Sequence, residues 1–197
     1  MKLYFAPRTR AVRARWLLEE LGVPYELIQL DLARQENTTA AYLAVHPLGE
    51  VPALVDGDVT LGESLAICLH LADRFPEKSL APRVGSAERG PYYQWMAFAE
   101  VSLDPEVMVF YRHAQRPEAE EALAKHRTRL AALLDVLQAG LGGREFLVGG
   151  TFTAADAVMA SILHLAHTLK RLDGHPRLVE YVQRHTQRPA VRRAVSG

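Results

Sequence analysis

A proline interrupts a short apolar run near the end of the first quarter of the chain, in the segment Val51-Pro52-Ala53-Leu54. Proline cannot donate to a ladder of backbone hydrogen bonds, so it is a poor residue for the interior of a strand. A cis peptide bond before Pro52 costs only about 0.5–1 kcal/mol and would turn the preceding backbone outward. Val51 would then offer its N–H and C=O to an extended peptide ligand, as the edge of a sheet does.

A second motif, Gly62-Glu63-Ser64, stands just ahead of an apolar stripe with helical spacing. The stripe consists of Ile67, Cys68, Leu71 and Phe75. The start of such a helix presents a carboxylate, a hydroxyl and unpaired N–H groups together. A peptide with a free α-amino and α-carboxylate end matches them, with Glu63 for the amine and Ser64 and the helix N-terminus for the carboxylate.

The first 76 residues predict a βαβ unit followed by a ββα unit. Strands are expected at residues 2–5 and 25–30, around a helix that Gly22 and Pro24 end. A short helix over residues 39–45 follows, and then two strands around the Asp56-Gly57-Asp58 turn. A helix over residues 63–75 closes the unit, and this order is that of a thioredoxin-like domain.

The remainder of the chain predicts a helical domain. Pro, Gly and Ser become frequent in residues 77–85, which indicates a linker between a domain of residues 1–76 and one of residues 86–197. Helices are expected over residues 92–113, 118–141, 154–169, 177–185 and 189–195. Pro105 predicts a kink in the first of them. The fold class is therefore α/β plus all-α, with βαβαββα order followed by a helical bundle.

The charge balance excludes several classes of partner. The 197 residues contain 23 Lys and Arg and 23 Asp and Glu, so there is no electrostatic argument for nucleic acid or an anionic membrane as a partner. No apolar run approaches the roughly 20 residues of a membrane span, and no secretion signal is evident. One cysteine excludes an internal disulfide framework, and a cytoplasmic location is expected.

Together these motifs resemble the cytosolic glutathione transferase superfamily, of the bacterial type, over essentially the whole chain. The matching segments are Lys2-Leu3-Tyr4-Phe5-Ala6-Pro7, residues 13–22, Val51-Pro52, Glu63-Ser64 and Phe152-Thr153-Ala154-Ala155-Asp156. The resemblance implies a homodimeric enzyme with glutathione as co-substrate, bound through Val51, Pro52, Glu63 and Ser64. It also implies conjugation of the glutathione thiol to hydrophobic electrophiles in the helical domain, with peroxide reduction as a side activity.

The residue that activates the thiol is expected just after the first strand. A thiol ionises at neutral pH only when a donor or positive potential lowers its pKa. In an ungapped alignment Thr9 falls where several classes of the family have a serine, and Arg10 where certain bacterial classes have a cysteine. Thr9 would donate to the thiolate and Arg10 would add charge. Two alternatives remain open: Thr9 as a simple helix cap, and Tyr4 as the donor.

Four arginines surround the start of the first helix: Arg8, Arg10, Arg13 and Arg15. Cations are unfavourable at the positive end of a helix dipole, so Arg8 or Arg10 would be explained by a bound anion. For Arg13 and Arg15 a solvated basic surface is expected.

In the helical domain, Tyr111 and His113 are expected to face the electrophile pocket. Thr153 and Asp156 have the spacing of a capping box, which predicts a structural role. His164 and His167 share a helix face, but no carboxylate or thiolate completes a ligand set, so no metal is predicted.

Two other functions fit the same pattern. The first is a non-catalytic interaction module, since one fold can serve several functions. The second is a glutathione-dependent isomerase of maleylacetoacetate type, which would require a Ser-Ser-Cys-Ser run where this chain has Pro7-Arg8-Thr9-Arg10. The retained Val51-Pro52 and Glu63-Ser64 favour a transferase.

Overall fold

The computed structural model describes residues 1–114 and 123–196. The chain packs into two compact units. The first comprises Met1–Ala81 together with the C-terminal residues from Arg188 onward, and the second comprises Pro82–Gln187. The division into domains of residues 1–76 and 86–197 with a linker at 77–85 stays a prediction, and the packing adds the C-terminal segment to the first unit.

The first unit has the predicted βαβαββα order. Its elements are β1 (Lys2–Phe5), α1 (Ala11–Leu21), β2 (Glu26–Gln29), α2 (Ala40–Leu43), β3 (Ala53–Asp56), β4 (Val59–Leu61) and α3 (Ser64–Arg74). Short 3-10 turns occupy Glu36–Thr38 and Pro76–Lys78.

The remaining regular elements of the described chain are helices. They are α4 (Arg89–Ala97), α5 (Asp104–His113), α6 (Ala124–Leu141), α7 (Ala154–Thr168), α8 (Pro176–Thr186) and α9 (Pro189–Val195), with α9 in the first unit. The predicted start of α6 at residue 118 lies outside the described residues. None of the helices in residues 1–114 and 123–196 is both long enough and apolar enough to cross a bilayer.

The four strands form one sheet in the order β2-β1-β3-β4. β1 is parallel to β2 and antiparallel to β3, with Tyr4 opposite Ala53. β3 is antiparallel to β4, with Leu54 opposite Leu61. Because of this register, the end of β1, the start of β3 and the end of β4 lie at the same end of the sheet. We call the segments that lie there, residues 6–10, 51–52 and 62–64, the site edge.

The burial of α1 differs from the sequence prediction at two arginines. Arg13 and Arg15 are only 5% and 8% exposed, so the expectation of a solvated basic surface was wrong. The reason is that α1 packs against β1, α3 and α9 together, which leaves it no broad solvent face. The guanidinium of Arg15 lies over the ring of Phe5, 5.0 Å from its centroid, where a buried cation is partly stabilised.

In the second unit the single helix predicted over residues 92–113 is divided into α4 and α5, and the kink at Pro105 stays a prediction. Residues Phe98–Leu103 form a π-helical stretch between α4 and α5. Pro105 has no N–H to donate to the carbonyl of Val101, so the regular hydrogen-bond pattern cannot continue into it. α7 is buried along nearly its whole length and forms the centre of this unit, as the sequence predicted.

Candidate functional site

The site edge brings together the three segments that the sequence singled out in the first unit. Val51 and Pro52 directly precede β3, and their peptide bond is cis, as predicted. Since Tyr4 pairs with Ala53, the register places Val51 and Pro52 beside the residues that follow β1. Val51 is half-buried and Pro52 is buried.

The start of α3 lies at the same edge, where Ser64 is 3% exposed. Glu63 is exposed and has φ 58° and ψ 114°, a conformation that costs a non-glycine residue about 1–3 kcal/mol. Its side chain does not cap the helix. The first helical hydrogen bond runs from the Ile67 N–H to the Glu63 carbonyl at 3.0 Å, so the N–H groups of Ser64 and the next two residues have no helical acceptor. The Glu63 carboxylate could therefore bind an amine of a ligand, and the N–H groups at the start of α3 could bind a carboxylate of the same ligand.

At the start of α1, by contrast, the Thr9 side chain is already hydrogen-bonded within the chain. The Thr9 hydroxyl donates to the Ala6 carbonyl at 2.7 Å, and Thr9 Oγ1 accepts from the Ala11 N–H at 3.2 Å. These bonds are those expected if Thr9 is a helix cap. To donate to a thiolate, the Thr9 hydroxyl would have to break its hydrogen bond to the Ala6 carbonyl. Arg8 has φ 61°, and both Arg8 and Arg10 are exposed beside this turn.

Two aromatic residues that the sequence did not single out approach the site edge. Tyr42, on α2, is 3% exposed and its hydroxyl donates to the Glu50 carbonyl. The ring of Tyr4, the alternative thiolate donor, packs against that of Tyr42, with ring centroids 5.2 Å apart. His46 lies under Gly62, where an added Cβ would stand 2.7 Å from His46 Nε2. The sequence signal was an aromatic residue in a short helix just ahead of the Val-Pro pair.

The predicted residues of the second unit lie on two of its helices. Tyr111, 51% exposed, and His113 are on the last turn of α5. His113 Nδ1 is 2.8 Å from the Val109 carbonyl, which fixes one ring nitrogen to its own helix. Their role at an electrophile pocket stays a prediction.

Thr153 and Asp156 form the predicted capping box at the start of α7. Asp156 is fully buried, and its Oδ2 accepts from the N–H and hydroxyl of Thr153 at 2.9 and 3.0 Å. Its Oδ1 accepts from the Leu147 N–H at 2.9 Å and the Tyr181 hydroxyl at 2.8 Å. Burial and the neighbouring carboxylate raise the pKa of Tyr181 well above its usual value, so its hydroxyl stays a donor. Both carboxylate oxygens are used within the chain.

Among residues 1–114 and 123–196, no group of three or more His, Cys, Asp or Glu side chains is placed to hold a metal ion. Cys68 is buried in α3.

Comparison with known proteins is consistent with this architecture. Residues 1–73 match the family model of the glutathione S-transferase N-terminal domain, and residues 120–184 match that of the C-terminal domain. Glutathione S-transferase GstA of Escherichia coli O157:H7 is 30% identical, over 100% of this chain and 98% of that protein. The chain belongs to the glutathione S-transferase family. The superfamily and the fold class predicted from the sequence are therefore confirmed.

Other relatives extend the likeness to solved structures. A glutathione transferase from Methylococcus capsulatus is 31% identical, with a TM-score of 0.85 over 98% of this chain and 96% of that chain. A sphingomonad glutathione S-transferase, solved in complex with glutathione, is 30% identical, with a TM-score of 0.83 over 99% of this chain and 97% of that chain. A zeta-class glutathione S-transferase of Euphorbia esula is 28% identical, over 99% of this chain and 89% of that protein. These relatives support the prediction of a transferase enzyme.

Proposed function

We propose that this protein ionises the thiol of glutathione at the site edge and conjugates it to a hydrophobic electrophile. The observation that carries the proposal is the strand register, which gathers the Val51-Pro52 pair, the start of α3 and the start of α1 at one edge. Membership of the glutathione S-transferase family and a relative with bound glutathione support the choice of ligand.

The start of α3 would hold the γ-glutamyl end of the ligand. Glu63 is exposed and would accept hydrogen bonds from the α-ammonium. The α-carboxylate would accept hydrogen bonds from the Ser64 hydroxyl and from the N–H groups at the start of α3, where the helix dipole also favours an anion. The α-ammonium would thus meet a negative carboxylate and the α-carboxylate the positive end of the helix dipole. The charge-assisted hydrogen bonds would compensate for the desolvation of these charged groups.

The cysteinyl part would lie against Val51. The N–H and C=O of Val51 would pair with the peptide backbone of the ligand, in the manner of a strand added to a sheet edge. This pairing would direct the sulfur toward the start of α1.

There the thiolate would be stabilised by Thr9 and Arg10. A single neutral hydrogen bond contributes only about 0.5–1.5 kcal/mol, so the positive charge and the helix dipole would supply the remainder of the pKa shift. The thiol proton leaves to solvent, and the sulfur forms a bond to the electrophilic carbon while the leaving group departs with the electron pair of the broken bond. Tyr111 and His113 would line the electrophile side.

We also propose a homodimer and a cytoplasmic location. The dimer is supported by Tyr93 and Val101, which are 47% and 72% exposed on the helical run from α4 to α5. Light scattering at micromolar concentration should give twice the mass of the chain, and a stable monomer would contradict the dimer.

The test is glutathione binding by titration calorimetry, followed by turnover of chlorodinitrobenzene. Glu63→Ala and Ser64→Ala should each raise the glutathione Kd by roughly tenfold while leaving the KM for the electrophile nearly unchanged. Asp58→Asn, in the exposed turn between β3 and β4 at the other edge of the sheet, is the matched control and should change nothing.

Reduction of cumene hydroperoxide in the same preparation measures the side activity. Saturable glutathione binding without turnover of either substrate would favour the interaction module. Failure to bind glutathione at all would contradict the proposal.

A further inference from the structure

We infer that Tyr42, together with His46, is a positioning pair for the glutathione site, and this inference rests on the proposed function. The pair touches the residue that precedes Val51 and the residue that precedes Glu63. It would therefore fix the cysteinyl and the γ-glutamyl halves of the site relative to each other.

The first contact is the hydrogen bond from the Tyr42 hydroxyl to the Glu50 carbonyl. Glu50 is joined to Val51, so this bond fixes the peptide unit that contains the Val51 N–H. The Val51 side chain packs against the same small cluster as Tyr42, which is built on Leu30 and Ala53. The backbone of Val51 is thus held on both sides, by a hydrogen bond to the preceding carbonyl and by apolar packing.

The hydroxyl stays a donor over the whole working range of pH. Burial, with a smaller contribution from the neighbouring Tyr4, raises the pKa of Tyr42 to about 12. Because the buried hydroxyl keeps its proton and donates it to the Glu50 carbonyl, it holds that carbonyl in one position.

The second contact is made by His46. Its ring stacks on that of Tyr42, with an interplanar angle of 17° and centroids 6.4 Å apart. His46 Nδ1 accepts from the Glu50 N–H at 3.5 Å, at the long limit for a hydrogen bond. On its other side the ring fills the space next to Gly62, where a Cβ would lie 2.7 Å from Nε2. Glycine at this position lets the start of α3 approach the ring.

The loop before Val51 has a further anchor, so removal of the Tyr42 hydroxyl should not unfold it. Asn37 Nδ2 donates to the Gly49 carbonyl at 2.7 Å. The change Tyr42→Phe therefore removes one hydrogen bond and keeps the ring and the anchored loop.

The experiment compares Tyr42→Phe with Tyr25→Phe. Tyr25 donates to Glu19 at 2.6 Å and precedes β2 at the opposite edge of the same sheet, so the control loses a similar hydrogen bond away from the site. Tyr42→Phe should raise the glutathione Kd by roughly three- to tenfold, the equivalent of one net hydrogen bond. Tyr25→Phe should lower Tm without changing Kd. Equal Kd values for wild type and Tyr42→Phe would overturn the inference.

A modified ligand separates positioning from general loosening. In an analogue of glutathione with an (E)-alkene in place of the peptide unit between cysteine and glycine, the cysteinyl carbonyl that would accept from the Val51 N–H is lost. If Tyr42 acts through the Val51 backbone, the loss of affinity caused by Tyr42→Phe should be at least halved, on a logarithmic scale, with this analogue. The same fold-loss for both ligands would overturn the inference.

A pair of variants tests His46 independently. Gly62→Ala should raise the glutathione Kd because its methyl group displaces the ring, and adding His46→Ala should restore at least half of the loss on a logarithmic scale. No rescue would exclude His46 from the pair. Wild-type protein that binds no glutathione would overturn the proposed function and this inference together. Wild-type binding that Ser64→Ala weakens and Tyr42→Phe does not would overturn the inference alone.

Discussion

The starts of α7 and α3 use the same residue types in different ways. At α7 the carboxylate of Asp156 is fully buried and its two oxygens accept hydrogen bonds from Leu147, Thr153 and Tyr181. At α3 the carboxylate of Glu63 is exposed, its backbone has a positive φ, and it makes no capping bond.

The difference indicates what each helix start is for. A carboxylate that the chain itself saturates stabilises the fold, and no ligand can reach it. An acid held in an unfavourable backbone conformation, beside a hydroxyl and helix N–H groups without a helical acceptor, contributes nothing comparable to the fold and is arranged for something else. We expect variants at the first place to change stability and variants at the second to change binding.

The largest effect is expected for Asp156→Asn. An amide cannot accept from four donors as a carboxylate does, so the free energy of unfolding should fall by about 3 kcal/mol or more. Urea unfolding followed by circular dichroism measures it. Asp173→Asn, at an exposed position of the same unit, should change stability by less than about 0.5 kcal/mol. A loss below about 1 kcal/mol for Asp156→Asn would remove the contrast between the two helix starts.

The start of α1 is intermediate, and Thr9→Val decides to which side it belongs. If the hydroxyl moves from Ala6 to the thiolate, Thr9→Val should cut kcat by roughly one to two orders of magnitude and raise the pKa of bound glutathione, while Thr9→Ser should be mild. The pH dependence of the thiolate absorbance in the complex measures that pKa. Full activity together with a lower Tm would make Thr9 a helix cap.

At α3, stability and binding should change in opposite directions. Glu63→Gly relieves the positive φ and should raise the free energy of unfolding by about 0.5–1 kcal/mol, because glycine adopts this conformation without steric cost. The same variant should weaken glutathione binding about tenfold. Glu63→Gln keeps the backbone strain and loses the charge, so it should weaken binding without stabilising the protein. Stabilisation by both variants would mean that the charge, and not the backbone, is the unfavourable element.

The smallest effect concerns pH. Burial raises the pKa of Glu19, but the hydrogen bonds from Tyr25 and Arg193 and the charge of Arg193 outweigh it, and the pKa lies below its ordinary value of 4.5. A carboxylate with a lowered pKa contributes stability above its unfolded pKa and loses it as the pH falls through the folded value. The Tm advantage of wild type over Glu19→Gln should therefore be present at pH 6 and shrink below about pH 4.5. Since Arg193 is largely exposed, we expect only a few tenths of a kcal/mol. A constant advantage down to pH 3 would contradict it.

Local patterns predicted most of the first unit and the frame of the site. Gly22 ends α1 with φ 65° and its N–H on the Leu18 carbonyl, and the Asp-Gly turn joins β3 to β4, as the sequence indicated. The capping box at Thr153 and Asp156 was equally predictable, because its partners are three residues apart. Each of these features depends on residues that are neighbours in the chain.

Contacts between distant segments could not be predicted in this way. Arg188 forms two hydrogen bonds to Glu20, at 2.6 and 2.8 Å, across 168 positions of sequence, and they tie the C-terminal residues to α1. The burial of Arg13 and Arg15 has the same origin, since α9, α3 and the sheet together cover a helix whose sequence alone indicated a polar face.

The sequence by itself determined the order of strands and helices in the first unit, the end of α1, the start of α7 and the chemical groups at the site edge, because turn residues, caps and periodicity act over a few positions. The tertiary structure decided that Tyr42 holds the Glu50 carbonyl, that His46 lies against Gly62 and that the Thr9 hydroxyl is engaged with Ala6. Burial and hydrogen-bond partners are properties of the packed chain, and a residue's own type does not specify which surface will cover it.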